Sequence, residues 1–213
     1  MLMPVLLLLS MTLDPASARW SNRSEQQMYM RRAIQLAIDT TAAQSRYAAL
    51  IVDPSCGEVL AQGSNHAAQD PIWHGEMAAI ANLSRILKPR NVSVYTAAPS
   101  LELYTTAEPC PMCMSAIVWS GFGRVVYGTS IPYIESQGHE QIGIRAAQVL
   151  GALQTTRIEW LVVQVAQATT KNVSVVGGVL AQETNKLYRN ISQLHPPNHS
   201  HPLSALLIQQ LVN

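Results

Sequence analysis

The segment "DPIWHGEMAAI", residues 70–80, puts His74 and Glu76 two positions apart at the start of an apolar pattern with helical spacing. Cys110 and Cys113 follow 36 and 39 positions after the histidine as a C-x-x-C pair. One imidazole and two thiolates make a three-ligand set that suits Zn2+. Three protein ligands leave a fourth position for water, which is the catalytic arrangement, and no H-x-x-C or second C-x-x-C supplies a fourth donor. The competing reading is a Cys110–Cys113 disulfide with an incidental histidine. Glu76 stands next to the metal without needing to ligate it. It can take a proton from a metal-activated water, whose pKa zinc lowers to about 7, and pass it to a ring nitrogen and a leaving amine. Such a set describes water attacking an amino-substituted heteroaromatic carbon, with loss of ammonia.

The elements that must position these groups are helix N-termini, where exposed amides and the macrodipole favour thiolates. From His74 the apolar positions 77, 80, 83, 86 and 87 predict an amphipathic helix. "EPCPMCMSAIVWSG" predicts another, with Pro111 in its first turn and both cysteines one turn apart, facing one ion. Upstream, Ser24 with Gln27 reads as a capping box opening a helix near 24–42. "YAALIVDPSCGEVLAQG" reads as a hairpin with strands 47–52 and 58–62 about the turn 53–57, followed by a polar loop, 63–72. "VSVYTAA", "ELYTTA", "GRVVYGTS" and "IEWLVVQVA" read as extended pieces. A loop over 131–142 precedes a helix at 143–153, and "VVGGVLAQETNKLYRN" reads as the last helix. Helices alternating with strands predict an α/β layered domain, without internal repeat or interdomain linker.

"HGE" with "TAEPCPMC" resembles the H-x-E…P-C-x-x-C signature of the zinc-dependent nucleobase and nucleoside deaminases, the cytidine deaminase-like superfamily. "LYTTAEPCPMCMSAIVWSGFGRVVYG" is more similar to its guanine deaminase and tRNA-adenosine deaminase branch than to the free cytidine deaminases. The similarity spans roughly residues 25–190. It implies a three-layer α/β/α fold with a mixed central sheet flanked by helices, usually as a homodimer. It also implies His74, Cys110 and Cys113 as zinc ligands and Glu76 as the catalytic proton shuttle. "GSN" implies Asn65 as a contact to the base, aided by backbone near Ala107–Glu108. Trp73 stands where a small residue is common, and Gly75 where alanine is; Trp73 can stack on the substrate ring or narrow the pocket. Tyr133 and Glu135 fall in a loop where the family places substrate contacts, and Tyr133 is taken as the pocket residue. Trp119 reads as packing.

At 213 residues and 48% apolar the chain fits one domain with a real core, and its net charge of +1 with three lysines shows no basic stripe for phosphate backbone. Nucleic acid is therefore not the expected main partner. The opening "MLMPVLLLLSMTLDPASARW" reads as a secretory signal, residues 1–18, its apolar run Val5–Leu13 too short to span a bilayer and Ala16-Ser17-Ala18 a cleavage site. Nothing basic precedes the run. Six of nine asparagines sit in N-x-Ser sequons: Asn22, Asn82, Asn91, Asn172, Asn190 and Asn198. With Ser plus Thr at roughly one residue in seven, chance gives about one. A secreted glycoprotein is expected, with the deaminase domain over 19–193 and a flexible tail over 194–213. The tail's His195, His199 and His201 read as solvated, and Cys56 as a free or intermolecular thiol. The expected function is deamination of a small nucleobase or nucleoside, guanine- or guanosine-type purines first. The alternatives are adenosine or cytidine deamination, on nucleoside or polynucleotide, and a non-catalytic secreted protein retaining the fold.

Overall fold

The computed structural model describes residues 19–42, 45–155 and 173–189. The proposed signal, the tail, the strand expected at "IEWLVVQVA" and Asn172, Asn190 and Asn198 lie outside the described residues. No described helix is long and apolar enough to cross a membrane.

A mixed sheet of five strands forms the middle layer in the order β2-β1-β3-β4-β5. Strand β1 (Ala48–Asp53) pairs antiparallel with β2 (Glu58–Ser64) and with β3 (Glu102–Ala107). Strands β3, β4 (Arg124–Thr129) and β5 (Ser174–Val176) run parallel. Every residue of β3 is buried, and so are the five apolar residues that open β1, as expected of strands covered on both faces. Alternation divides them between two cores. Ala49, Ile51, Leu103 and Val125 face α2 (Gly75–Leu87), α4 (Pro111–Ser120) and Ala146, which opens α6 (Ala146–Thr155). Leu50, Val52, Tyr104 and Val126 face Tyr29, Met30 and Ala33 of α1 (Arg23–Thr40). The expected α/β/α layering is therefore what folds.

Local chemistry sets the ends of the elements. α1 begins at a capping box, but its members are Asn22 and Glu25, not Ser24 and Gln27: the Asn22 side chain accepts from the Glu25 amide and Glu25 returns a bond to the Asn22 amide. α4 starts with Pro111 at its first position, where the missing N–H costs nothing, and stops at Gly121 in the left-handed region, φ +79°. "VSVYTAA", expected to be extended, folds as the helical turn α3 (Val94–Ala97), because the Ser93 hydroxyl caps it by accepting from the Thr96 amide. The expected loop after β4 opens with a short helix, α5 (Ile131–Ser136). The expected last helix is divided: Ser174–Val176 joins the sheet, and only α7 (Ala181–Thr184) and the tight turn Asn185–Tyr188 are helical.

The buried stripe of α2 also differs from the expected one. Gly75, Glu76, Ala78, Ala79, Leu83 and Leu87 face inward, whereas Ile86 is exposed. Small residues face the sheet because the helix lies almost on it. A Cβ on Gly63 would meet the Ala79 amide nitrogen inside van der Waals contact and the Gly75 carbonyl oxygen at 2.5 Å, and a Cβ on Gly75 would lie 3.0 Å from the Ala48 Cα. Replacing Gly63 by alanine must therefore push α2 off the sheet. The expected cost is about 1–3 kcal/mol, the usual range for overpacking, read as a lowered thermal midpoint; an unchanged midpoint would contradict the contact.

Candidate metal centre and active site

His74 is the residue preceding the first turn of α2, and Cys110 occupies the same position on α4. Cys113 lies one turn into α4 and is fully buried, so the two helix starts deliver three donors to one point. The His74 Nδ1 lies 3.7 Å from the Cys110 Sγ and 3.6 Å from the Cys113 Sγ, and all three donor atoms fall within 4.8 Å of one another. Zinc bonds of about 2.3 Å to sulfur and about 2.0 Å to nitrogen, at tetrahedral angles, require N···S separations of roughly 3.5–3.6 Å. The observed edges match. Among the described residues this is the only His/Cys/Asp/Glu group with that geometry. All three cysteines are free thiols, so the Cys110–Cys113 disulfide does not form, and Cys56 is exposed in its turn.

The electrostatics suit a cation. The Cys113 thiol holds Cys110 down at about 4 by hydrogen bonding, while keeping that proton, together with burial, pushes Cys113 well up. The hydrogen bond with Cys110 raises the His74 pKa against the opposing effect of burial.

Glu76 lies in the first turn of α2, 5% exposed, and its carboxylate accepts from the Thr105 hydroxyl of β3 at 3.0 Å. Burial lifts its pKa above the ordinary carboxylate range, and the charge on Cys110 adds to the lift. A carboxylate with a raised proton affinity beside a metal site is equipped to accept a proton and release it again.

The other expected residues are placed unequally. Asn65 follows β2; its amide nitrogen donates to the Tyr47 carbonyl at 2.9 Å and its side-chain Nδ2 to the Ser45 hydroxyl. The neighbouring His66 amide donates to the Trp73 carbonyl at 2.9 Å, which ties the asparagine's strand end to the approach to His74. Among the described residues nothing donates to the Asn65 Oδ1. Trp73 keeps 38% of its surface exposed at the lip of this approach. The amide of Glu108, expected to help orient a base, is spent instead on the Thr129 carbonyl at 2.7 Å. Tyr133 is half-buried in α5, and no hydrogen bond or ring contact joins it to the donors or Glu76. Trp119, expected to pack, is 45% exposed on α4.

Sequence reasoning missed the side chain of Glu108. It is buried two residues before Cys110 and is gripped by Arg145, whose Nε lies 2.8 Å from each carboxylate oxygen. It also missed Thr105 and the tilted ring pair Tyr47 and Tyr188, whose centroids are 5.1 Å apart. Only "AEPC", an acid directly before Pro-Cys, carried any signal.

The family model describing the cytidine and deoxycytidylate deaminase zinc-binding region matches residues 23–129, half of the chain, with all three donors and Glu76 inside the match. The chain belongs to that family. Zn2+ is accordingly the metal that its His/Cys/Cys group fits. Within the family the chain is 33% identical over 84 residues to the tRNA-specific adenosine deaminase of Rickettsia bellii, 38% of this chain and 54% of that one. It is 32% identical over 103 residues to the guanine deaminase of Bacillus subtilis, 46% of this chain and 61% of that one. A cytosine deaminase of Candida albicans is 38% identical over 81 residues, 37% of this chain and 49% of that one. The chain thus spans about half to three-fifths of the length of these relatives. The crystal structure of the guanine deaminase from Nitrosomonas europaea superposes with a TM-score of 0.60 at 23% identity, over 76% of this chain and 81% of that one, and so shares the fold.

Purified protein is expected to carry one zinc per chain. Replacing Cys113 by serine, which removes a buried thiolate donor, is expected to leave less than about a tenth of that metal, as measured by elemental analysis after dialysis. Full zinc content in that variant would place the metal elsewhere.

Proposed function

We propose that this family member is a zinc-dependent hydrolase that deaminates a small nucleobase or nucleoside, with guanine-type purines favoured, releasing ammonia. The observation that carries this reading is Glu76: a buried carboxylate, held by Thr105, next to a three-donor site. In the proposal His74, Cys110 and Cys113 hold the ion, which when bound supplies the Lewis acidity that makes a water nucleophilic near neutral pH. Glu76 would take one proton from that water and pass it to the ring nitrogen, then take the second from the hydroxyl left on the attacked carbon and hand it to the leaving amine. Its burial supports both steps, because it raises the affinity of the carboxylate for the proton that it must carry. The Asn65 Oδ1 accepts from an N–H of the base, and Trp73 offers its exposed face to the ring. Tyr133 belongs to the same reading as a pocket residue. The guanine deaminase among the relatives supports a purine base, and the cytosine deaminase among them names a pyrimidine competitor. The tRNA-specific adenosine deaminase names the competing substrate, against which stand the near-zero net charge and three lysines.

The domain over 19–193, its export and glycosylation, and its assembly as a homodimer complete the proposal. Of the sequons among the described residues, Asn91 is exposed in a left-handed turn at φ +53° with its side chain unengaged. Asn82 is half-buried and donates to the Gln62 carbonyl at 2.8 Å, and the Asn22 side chain caps α1. Asn91 also lies just past the C-terminal end of α2, roughly 20 Å of helix away from His74 at about 1.5 Å per residue, so a glycan there leaves the site open. Glycopeptide mass spectrometry of protein expressed through a eukaryotic secretory pathway is expected to find Asn91 occupied and Asn82 bare; the reverse would contradict this placement.

The test of the reaction is ammonia release by zinc-replete protein on guanine, guanosine, adenine, adenosine, cytosine, cytidine and their deoxy forms. Turnover of a guanine-type purine is expected, with Glu76→Gln retaining zinc and losing about 10²–10⁴-fold in kcat. Near-normal turnover by that variant would overturn the role of Glu76, and turnover confined to a polynucleotide would overturn the substrate.

A further inference from the structure

Two ion pairs, each on a buried glutamate, close the opposite ends of the β3–β4 pair. Register places Glu102 beside Arg124 at one end and Ala107 beside Thr129 at the other. Glu102, fully buried, meets Arg124 at 3.3 Å and also accepts from the Ser21 amide and the Tyr104 hydroxyl. That end fastens the start of the domain. At the other end Glu108 accepts from Arg145 through both Nε and a terminal nitrogen, the latter at 2.8 Å. It also takes the Ile131 amide at 3.1 Å and the Ala146 amide at 3.0 Å. A carboxylate offers about four acceptor sites, so this one is saturated by charge-assisted and backbone bonds. Three segments distant in sequence meet on it: the exit of β3, the start of α5 and the start of α6.

Only Pro109 separates this clamp from Cys110, and its ring fixes φ. Orientation imposed on Glu108 therefore reaches Cys110 with few free torsions between them. We propose that Glu108 and Arg145 are positioning residues for the metal centre, the clamped carboxylate fixing the Glu108–Pro109–Cys110 peptide and so the direction from which the Cys110 sulfur meets His74. The proposal rests on the reading of His74, Cys110 and Cys113 as the zinc ligands. Glu108 itself is no ligand: its oxygens are engaged, and it lies outside the donor group.

The test compares zinc affinity, by chelator competition, and the thiolate-to-metal absorption of the Co2+-substituted full chain across variants. Arg145→Gln and Glu108→Gln are expected to weaken zinc binding about tenfold, the lower range for residues supporting ligands, and to shift the cobalt absorption. Arg145→Lys restores the charge but not the planar fork, so its affinity is expected between those of Arg145→Gln and wild type. It carries the test where Arg145→Gln does not fold. Arg124→Gln breaks the other pair, about 17 Å away along β3 at about 3.3 Å per residue. It is expected to lower the thermal midpoint while leaving zinc affinity and the cobalt spectrum at wild-type values. Wild-type affinity and spectrum in the Arg145 variants would overturn the proposal, as would equal weakening by Arg124→Gln. Wild-type protein that takes up no zinc would overturn the metal-centre reading itself, and this one with it.

Discussion

The approach of one helix to one sheet governs this molecule. α2 lies so near β1 and β2 that only glycine fits at Gly63, and the same contact holds the first turn of α2 against β3. Glu76 is thereby buried and accepts from the Thr105 hydroxyl, and His74 is aimed across at the start of α4. A buried carboxylate is costly to charge, and the proton transfer proposed for Glu76 draws on that cost. Move the helix outward by the width of a methyl group and the carboxylate meets water while the imidazole leaves the sulfurs. Packing and chemistry are here one constraint.

The site also lies where an α/β sheet with parallel strands offers a crevice, beyond the carboxyl end of β3. β3 runs out through Ala107 and Glu108 into the turn carrying Cys110, so the strand delivers the sulfur and the helix start stabilises it. The opposite end of the same strand is closed by Glu102, Arg124 and Trp20, whose ring lies under the Arg124 guanidinium at 4.9 Å. One end of the sheet is thus sealed and the other carries the three-donor group, each fastened by an ion pair on a buried glutamate.

What was legible in the sequence was local. His74, Cys110 and Cys113 announce themselves because a metal-ligand set restricts both residue type and spacing, with Glu76 two positions after the histidine, and Pro111 marks where the cysteines' helix begins. Asn65 and Trp73 could be named from family pattern, yet only the coordinates show which atom of Asn65 remains free. What was illegible depends on distance or on size. Glu108 and Arg145 stand 37 positions apart and read as common surface residues until the fold buries the glutamate and brings the arginine onto it. Half of the buried face of α2 is written in glycine and alanine, which leave no strong apolar period, so the expected stripe of 77, 80, 83, 86 and 87 found Leu83 and Leu87 but missed Gly75, Ala78 and Ala79. At residues 92–98 valines argued for a strand, and one serine hydroxyl decided for a helix.

The central claim is that two thiolates and one imidazole hold an ion with one position left for water. Zinc-edge X-ray absorption on the purified full chain tests it most directly. The account predicts two sulfurs at about 2.3 Å and two lighter atoms, one nitrogen and one oxygen, at about 2.0 Å. Four protein ligands with no exchangeable oxygen would make the site structural, and zinc bound without sulfur would contradict the account outright.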